Sequence, residues 1–269
     1  MPNAMVVLLE RRNLLALPEA LGECTHGAFF AALKRANSAL ADRLHDNPER
    51  KPFTLRAVEE ETCEQSFLGG SAELRITFLD DDLWPSFAGA LVQGCLQTGL
   101  RIGEAQFGFR GLLTDGHPWA GPATYAQLWE QAQPEEVVAV RFDTLPLFKS
   151  QGKDVFLPTP RHVWQSWVRT WNAHAGPKGQ LEETRLVELA ENLVTVEDND
   201  LETCPVLLPG GRIEGFVGTC LYGLQALSET DRRTFALLAD FAFYASTGRK
   251  TAMGLGQTVR LFPSEFEEE

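Results

Sequence analysis

The stretch AELRITFL, residues 72–79, decides the fold of the first half of the chain. Its apolar residues Leu74, Ile76 and Phe78 alternate with charged or polar ones. This period of two predicts a strand with one buried face and one polar face. Since an apolar sheet face has to be covered, we expect helices in the neighbouring segments.

The segments on either side of this strand show the expected mixture of helix and strand patterns. They predict strands at 4–10, 52–58 and 100–113, and helices at 26–36, 39–45 and 83–97. If 26–45 is counted as one interrupted helical segment that restarts at Asn37-Ser38, the order is β-α-β-β-α-β. That order is the ferredoxin-like signature.

The second half repeats this order without any visible repeat of residues. It predicts strands at 137–142, 194–203, 212–225 and 258–262, and helices at 161–173, 181–193 and 228–244. Ser228 and Asp231 resemble a capping box at the start of the last helix. The sequence therefore predicts an α+β protein with two tandem ferredoxin-like (RRM-like) domains, residues 1–134 and 135–269.

Composition is ordinary for a globular protein, but the charge is not that of a typical nucleic-acid binder. The 269 residues carry a net charge of −13, the wrong sign for binding phosphates. Acidic residues cluster at 59–61, 80–82 and 267–269, so a local basic face is still compatible with the charge. Basic residues group elsewhere, at Lys34-Arg35, Arg43, Arg50-Lys51, Arg161, Arg169 and Arg249-Lys250.

Targeting and metal signals are lacking in the sequence. No apolar run reaches the length of a membrane span, so we expect a cytoplasmic protein that does not contact a membrane. The five cysteines form no C-x-x-C pair, and no His or Cys spacing resembles a zinc site. We therefore expect no metal and no cofactor.

A glycine-rich segment, STGRKTAMGLGQ at residues 246–257, lies between the last helix and the last strand. Its glycines allow sharp turns and close approach to a ligand, and Arg249 and Lys250 add positive charge. Such a loop suits a phosphate backbone, although a plain turn with two solvated cations fits equally well. A Walker loop and a dinucleotide fingerprint are excluded by the glycine spacing and by the preceding helix.

Four stretches resemble the CRISPR-associated endoribonucleases that cut precursor CRISPR RNA within its repeats, the sixth Cas family of the RAMP superfamily. The stretches are Leu44-His45-Asp46 with Lys51-Pro52-Phe53-Thr54, residues 156–172, Gly215-Phe216-Val217-Gly218, and the loop 248–256. The resemblance implies two ferredoxin-like domains and metal-independent cleavage of bound repeat RNA. It also implies other Cas proteins as partners of an effector complex, and leaves a homodimer open.

The resemblance also assigns residues. His45 matches the catalytic histidine of the family and Lys51 its catalytic lysine, a pair that suits proton transfer and phosphate charge. Some members carry a tyrosine in the first helix, but this chain has none before Tyr125. Either His45 acts without such a group, or another one such as His26, Ser38 or Arg43 substitutes for it. His26 is the first candidate, although a plain core or loop role also fits it. The expected RNA contacts are Gly248, Arg249, Lys250, Gly254 and Gly256, with Arg161 and Arg169 either on RNA or merely solvated.

Two other functions remain open at this point. RAMP proteins also serve as non-catalytic RNA-binding subunits of CRISPR effector complexes, and His45 with Lys51 favours the enzyme over that alternative. The net charge of −13 favours a third reading, an α+β protein without any nucleic-acid role. Salt-dependent binding of repeat RNA would exclude the third.

Overall fold

The computed structural model describes residues 1–46, 50–59, 71–80 and 83–262. Its packing divides the chain into two compact units. The first unit comprises Met1–Ala123, Leu207–Gly211 and Ala252–Gly254, and the second comprises the remaining segments. Cys63, most residues of the first two acidic clusters and the predicted acidic tail lie outside the described residues.

In the described residues of its main segment, Met1–Ala123, the first unit has six strands and three α-helices. They are β1 (Asn3–Arg11), α1 (Leu21–Ala36), α2 (Ser38–Asp46), β2 (Phe53–Glu59), β3 (Ser71–Phe78), α3 (Trp84–Thr98), β4 (Leu100–Ile102), β5 (Ala105–Leu113) and β6 (Gly121–Pro122). The sheet order is β2-β3-β1-β5-β4, with β6 pairing beside β1. Because β1 lies between β3 and β5 with all neighbours antiparallel, this is the expected ferredoxin-like sheet.

The core of this unit lies between one sheet face and the helices α1 and α3. The predicted strand β3 is confirmed, and Leu74, Ile76 and Phe78 are all buried. Arg75 and Thr77 on the opposite face are buried as well, so the expectation of an exposed polar face is wrong at these two positions. The three apolar side chains join Phe29 of α1 and Phe87 of α3, whose rings lie 5.7 Å apart. Burial of each such side chain contributes about 1.5–3 kcal/mol, so this cluster fixes α1 on the sheet.

The prediction of one strand across residues 100–113 is wrong. The structure divides this segment into β4 and β5, which pair with each other as a hairpin. Gly103 makes the turn with a φ of 62°, a conformation that glycine adopts readily. Alternating apolar residues occur on both sides of the turn, which suggested a single strand, but they change from even positions (Leu100, Ile102) to odd positions (Ala105, Phe107) across Gly103.

The described residues of the second unit form six strands, four α-helices and the 3-10 helix Pro177–Gly179, whereas the other 3-10 helix, Thr251–Met253, has two of its three residues in the first unit. The α-helices are α4 (Tyr125–Gln131), α5 (Pro160–His174), α6 (Glu183–Leu193) and α7 (Glu229–Ala245). The strands are β7 (Val137–Phe142), β8 (Phe148–Ser150), β9 (Lys153–Val155), β10 (Thr195–Leu208), β11 (Gly211–Gly223) and β12 (Thr258–Leu261).

The main sheet of this unit has the order β10-β11-β7-β12, again the ferredoxin-like arrangement. Its core contains Trp164, Trp167 and Trp171 of α5, all at most 1% exposed, as the helical spacing of the tryptophans predicted. Trp164 and Phe235 of α7 have ring centroids 5.2 Å apart. The predicted fold class, two tandem ferredoxin-like domains, is thus confirmed.

The internal packing assigns residues 124–134 to the second unit, whereas the sequence predicts the domain boundary at 134/135. The physical reason is packing on α4: the Tyr125 ring lies 5.1 Å from that of Trp171. Arg233 of α7 also donates hydrogen bonds to the carbonyl oxygens of Trp129 and Ala132. In the part of the chain that the structure describes, no helix is long and apolar enough to cross a membrane.

Candidate active site

The two helices α1 and α2 are joined by a single residue, Asn37, which organises both of their ends. Its backbone N–H donates to the carbonyl oxygen of Leu33 at the end of α1, at 2.8 Å. Its side-chain Oδ1 accepts from the N–H of Leu40 in the first turn of α2, at 3.0 Å. Asparagine suits this place because its side chain caps a helix start. The tight connection brings the end of α2 back beside the early turns of α1.

Phe30 of α1 joins two of the predicted catalytic side chains. Its ring centroid lies 4.8 Å from that of His26 and 5.4 Å from that of His45. Phe53, at the start of β2, lies behind it, with its ring 5.9 Å from Phe30 and 6.5 Å from His26. The structure therefore places His26 and His45 on the same aromatic cluster, although they are on different helices.

Lys51 folds back onto the end of α2. Its Nζ donates to the carbonyl oxygens of Leu44 and His45, at 2.7 and 2.5 Å. Carbonyl groups in the last turn of a helix lack partners within the helix, and a lysine ammonium satisfies them while matching the helix dipole. Burial lowers the pKa of Lys51, and the nearby Asp46 carboxylate opposes that shift. The Lys51 ammonium is thus held at the backbone of His45, so these two predicted residues are brought together.

His26 is half-buried and has a defined hydrogen bond. Its Nδ1 lies 2.9 Å from the carbonyl oxygen of Ala252, which also belongs to the first unit. Since a carbonyl only accepts, Nδ1 has to carry the proton, and in the neutral ring Nε2 holds the lone pair. Burial lowers the pKa of His26 below 6.5; the hydrogen bond to Ala252 raises it, and the charges of His45 and Lys51 lower it further.

His45 is more open to solvent, with 66% of its side chain exposed. Its Nδ1 lies 3.1 Å from Oδ1 of Asp46, the next residue. A carboxylate in this position accepts from Nδ1–H and orients the ring. Asp46 lies in the quoted Leu-His-Asp stretch, but the sequence analysis gave it no role. The Ala252 carbonyl was also missed, because a backbone acceptor leaves no signal in the residue type.

The tyrosines of the chain are structural in the described residues. Tyr125 packs on Trp171, and Tyr222 is fully buried and donates to the carbonyl oxygen of Pro158. Burial raises the pKa of Tyr222 well above its usual range. The first helix presents Phe30 to both histidines instead of a phenol. His26 is a titratable side chain of α1 that contacts Phe30. Its role in place of a tyrosine stays a prediction.

The glycine-rich loop is held by hydrogen bonds within the second unit. The N–H groups of Gly248, Arg249 and Gly256 all donate to protein oxygens. Their acceptors are Ser166 Oγ at 2.7 Å, Leu147 O at 2.7 Å and Leu145 O at 3.0 Å, respectively. These three N–H groups are therefore bonded within the protein and do not point at a ligand.

The loop glycines serve close packing. A Cβ on Gly248 would collide with the carbonyl oxygen of Leu147, and one on Gly256 with that of Thr247. Gly254 differs, since its Cβ would lie 3.5 Å from the carbonyl oxygen of Leu55. The loop's role in RNA binding remains a prediction, which now depends chiefly on the side chains of Arg249 and Lys250.

The predicted basic contacts are partly neutralised by neighbours. Arg249 Nη1 lies 3.9 Å from Asp154 Oδ1 on β9. On α5, Arg161 pairs with Glu191, and Arg169 Nε lies 2.6 Å from Glu183 Oε1. All three arginine side chains are more than 40% exposed, and exposed pairs contribute about 0–1 kcal/mol each. An RNA phosphate could therefore displace these carboxylates at little cost.

Metal ligands do not gather in the described parts of the chain. Within them, no group of three or more His, Cys, Asp or Glu side chains could hold a metal ion. The described cysteines Cys24, Cys95, Cys204 and Cys220 form no disulfide with one another. What the site offers is two imidazoles, one ammonium and one carboxylate within a small volume.

The amino-acid sequence of the chain is similar to that of known proteins over about half of its length. The model of the family "CRISPR-associated endoribonuclease Cas6" matches residues 140–258. A CRISPR-associated endoribonuclease Cas6 from Streptococcus thermophilus is 27% identical over 130 residues. That alignment covers 48% of this chain and 53% of the relative, so the chain spans about half the length of the curated relative that it matches.

Solved structures match over nearly the whole chain. A Cas6 product complex from Thermus thermophilus is 33% identical with a TM-score of 0.81, covering 97% of this chain and all of that chain. A second Cas6 product complex is 30% identical with a TM-score of 0.78, covering 97% and 99%. The two ferredoxin-like units place the protein in the RAMP class of folds. Within that class, the chain belongs to the Cas6 family.

Proposed function

We propose that the chain is an endoribonuclease that cuts precursor CRISPR RNA within its repeats, without a metal ion, by attack of the RNA's own 2′-OH. The observation that carries the proposal is the gathering of His26, His45 and Lys51 beside Phe30. Relatives named as Cas6 endoribonucleases, and Cas6 structures described as product complexes, support the choice of substrate.

The first step of the reaction needs a base. Neutral His26 holds its Nδ1 proton against the Ala252 carbonyl, so Nε2 is the atom that accepts a proton. The lowered pKa of His26 keeps the ring neutral near pH 7. His26 Nε2 takes the proton of the 2′-OH while the 2′ oxygen forms a bond to the adjacent phosphorus. Such a transfer typically contributes on the order of 10²–10⁴-fold.

The second step needs an acid. His45, oriented by Asp46 through Nδ1, donates a proton from Nε2 to the departing 5′ oxygen as the P–O5′ bond breaks. The products are a 2′,3′-cyclic phosphate and a 5′-OH. Lys51 supplies fixed positive charge at the phosphate, where negative charge builds up during the attack.

RNA binding outside this cluster is assigned to exposed basic side chains. We propose Arg249 and Lys250 of the glycine-rich loop as phosphate contacts, with Gly248, Gly254 and Gly256 shaping the loop backbone. Arg161 and Arg169 on α5 are further contacts that exchange their glutamate partners for phosphate. The acidic body then makes binding to unrelated RNA weak, since only these local groups attract phosphate.

The test is a cleavage assay on the host's CRISPR repeat RNA in excess EDTA. A second RNA carries a 2′-deoxy sugar at the cut site. Two variants, His45→Ala and His26→Ala, are compared with His174→Ala, a histidine at the end of α5 in the second unit. Melting temperatures show whether each variant is folded.

We expect the native protein and His174→Ala to cut the repeat RNA in EDTA and to leave the 2′-deoxy RNA intact. His45→Ala and His26→Ala should bind the RNA but cut it at least about a hundredfold more slowly. Cutting that stops in EDTA, or that continues on the 2′-deoxy RNA, would refute the mechanism. Tight binding without any cutting by the native protein would identify the chain as an RNA-binding subunit instead.

A further inference from the structure

A cavity of about 240 Å³ opens between α1 and α2, next to the proposed catalytic cluster. Its lining residues are Phe30, Ala31, Lys34, Ala41, Asp42 and His45. All of them belong to two helices of the first unit. Because His45 is one of its walls, anything bound in the cavity is in contact with a proposed catalytic residue.

The cavity combines an apolar wall with a charged rim. The apolar side is formed by Phe30, Ala31 and Ala41, and Phe30 is only partly buried against the core. At the rim, Lys34 Nζ lies 3.3 Å from Asp42 Oδ1, with the two side chains 64% and 54% exposed. An exposed ion pair contributes little to stability, so a ligand can replace either group as the partner of the other.

The size and walls of the cavity fit one planar heterocycle. Pockets for drug-sized ligands measure about 300–1,000 Å³, so 240 Å³ suits a smaller molecule. Single-stranded RNA is recognised by bases that are splayed out, stacked on aromatic side chains and bonded along their Watson–Crick edges. A nucleobase on Phe30 would belong to a nucleotide that adjoins the phosphate at His45, since the two sites share a wall.

The rim groups discriminate among the four bases. Guanine presents two neighbouring donors, N1–H and the N2 amine, beside the O6 acceptor. A carboxylate accepts at both oxygens, and a lysine donates to O6. Adenine and cytosine present one donor group, and uracil one donor between two acceptors, so none of them satisfies both oxygens of a carboxylate together with the ammonium.

We propose that this cavity is a guanine subsite for a nucleotide flanking the scissile phosphate. Phe30 stacks on the base, Asp42 accepts from N1–H and N2–H, and Lys34 donates to O6. Asp42 and Lys34 are then specificity-determining residues, distinct from the groups that transfer protons. The proposal rests on the proposed function, because it takes RNA as the ligand and His45 as the neighbour of the cut phosphate.

The test measures binding of RNA that cannot be cut. After the cut position has been mapped, repeat RNAs with a 2′-deoxy sugar at the cut receive guanine, inosine or adenine at each of the two flanking positions. Inosine differs from guanine only by lacking the N2 amine. Dissociation constants are measured for the native protein, Asp42→Asn, Lys34→Met and the control Asp198→Asn, an exposed carboxylate on β10.

At one of the two positions, we expect the native protein to bind guanine RNA about tenfold or more tightly than adenine RNA. Inosine should weaken binding severalfold in the native protein and in Asp198→Asn, but not in Asp42→Asn, which no longer has two acceptor oxygens. Lys34→Met should weaken binding of the guanine RNA and leave binding of the adenine RNA unchanged. Equal binding of all three bases by the native protein at both positions would overturn the subsite.

Cleavage assays with RNAs that keep the 2′-OH distinguish a failure of the guanine subsite from a failure of the proposed function. If the native protein cuts the repeat without preference for the flanking base, the guanine subsite is wrong and the endoribonuclease proposal stands. If guanine is preferred and the preference is the same in Asp42→Asn, the subsite lies elsewhere. If no repeat RNA is bound or cut, both proposals fail.

Discussion

The Nδ1 atom of His26 lies 2.9 Å from the carbonyl oxygen of Ala252, a residue 226 positions further along the chain. This hydrogen bond fixes which ring nitrogen of His26 is protonated, because a carbonyl oxygen only accepts. A backbone atom of the glycine-rich loop thus determines which ring nitrogen of neutral His26 is able to accept a proton. The loop therefore contributes to the proposed site even where its N–H groups bond within the protein.

The pH dependence of cleavage should report the lowered pKa of His26. Protonated His26 cannot accept the 2′-OH proton, so the rate should fall with acid, with a midpoint below 6.5. Above that midpoint the base form of His26 predominates, so the acid limb of the profile is the part that reports His26. Single-turnover rates between about pH 5 and 8 measure this limb. A midpoint at or above 6.5 would contradict the assignment.

Phe30→Ala tests the cause of that shift. Removing the ring exposes His26, so its pKa should rise toward 6.5 and the acid limb should move with it. NMR titration of the histidine rings follows the same change without relying on activity. His162 in the second unit is an internal control, because its own lowered pKa arises from burial and from Arg161 and should not move.

Lys51→Ala should affect both cleavage and stability. Loss of the charge at the phosphate should slow single-turnover cleavage by about 10²–10³-fold. Loss of the two hydrogen bonds to Leu44 and His45 should lower the free energy of unfolding by about 1–3 kcal/mol, as carbonyl groups lose their partner. Urea unfolding and cleavage are measured together. Lys178→Ala, at an exposed position, should change neither, and a fully active Lys51→Ala would remove the lysine from the mechanism.

Alanine substitutions in the glycine-rich loop should differ sharply in cost. In Gly256→Ala the Cβ would overlap the Thr247 carbonyl, and the φ of 66° adds strain, so the loss should exceed about 4 kcal/mol. Gly254→Ala meets the Leu55 oxygen at 3.5 Å, so only the strain of its φ of 84° applies, about 1–2 kcal/mol. Urea unfolding measures both losses.

Gly116→Ala is the matched control for these substitutions. Its φ is 65°, and no atom lies within 4 Å of its Cβ position, so it reports backbone strain alone. A loss for Gly256→Ala no larger than that for Gly116→Ala would show that the loop relaxes. The close packing of this loop would then be unimportant for stability.

The salt dependence of RNA binding should identify the phosphate contacts. Arg249→Gln or Lys250→Gln should each reduce the slope of log K against log salt by about 0.7–1. Arg185→Gln is the control, because Arg185 pairs with Asp231, 2.8 Å away, on the start of α7 and has no proposed contact with RNA. Unchanged slopes for both loop variants would leave the loop with a structural role only.

The fold could be predicted from the sequence because its strands are amphipathic. The alternation at Leu74, Ile76 and Phe78 and the capping pair Ser228 and Asp231 gave elements that the structure contains nearly at the predicted bounds. The prediction from local sequence failed at Gly103, where two alternating segments lie so close together that they resemble one strand although their apolar positions change from even to odd. It also failed where strands are short and polar, as in the hairpin of β8 and β9.

The candidate site was predictable only in part. His45 and Lys51 were assigned by the family resemblance, and their separation of six residues makes the contact of the Lys51 Nζ with the His45 carbonyl a local one. The contact of His26 with Ala252 joins a side chain to a distant backbone oxygen, and no residue type encodes it. The same holds for Phe30, whose position between two histidines depends on how α1 and α2 pack rather than on its spacing along the chain.

The segment Ala252–Gly254 belongs to the first unit but is synthesised long after the main segment of that unit, Met1–Ala123. A ribosome adds about 5–20 residues per second, so Ala252 follows His26 by roughly 10–50 s. Throughout that interval the nascent first unit has its two histidines but lacks the acceptor that sets the tautomer of one of them. In the proposed mechanism the base is therefore completed only after residue 252 has been synthesised, and a ribosome-bound fragment ending before that residue would lack the acceptor of His26.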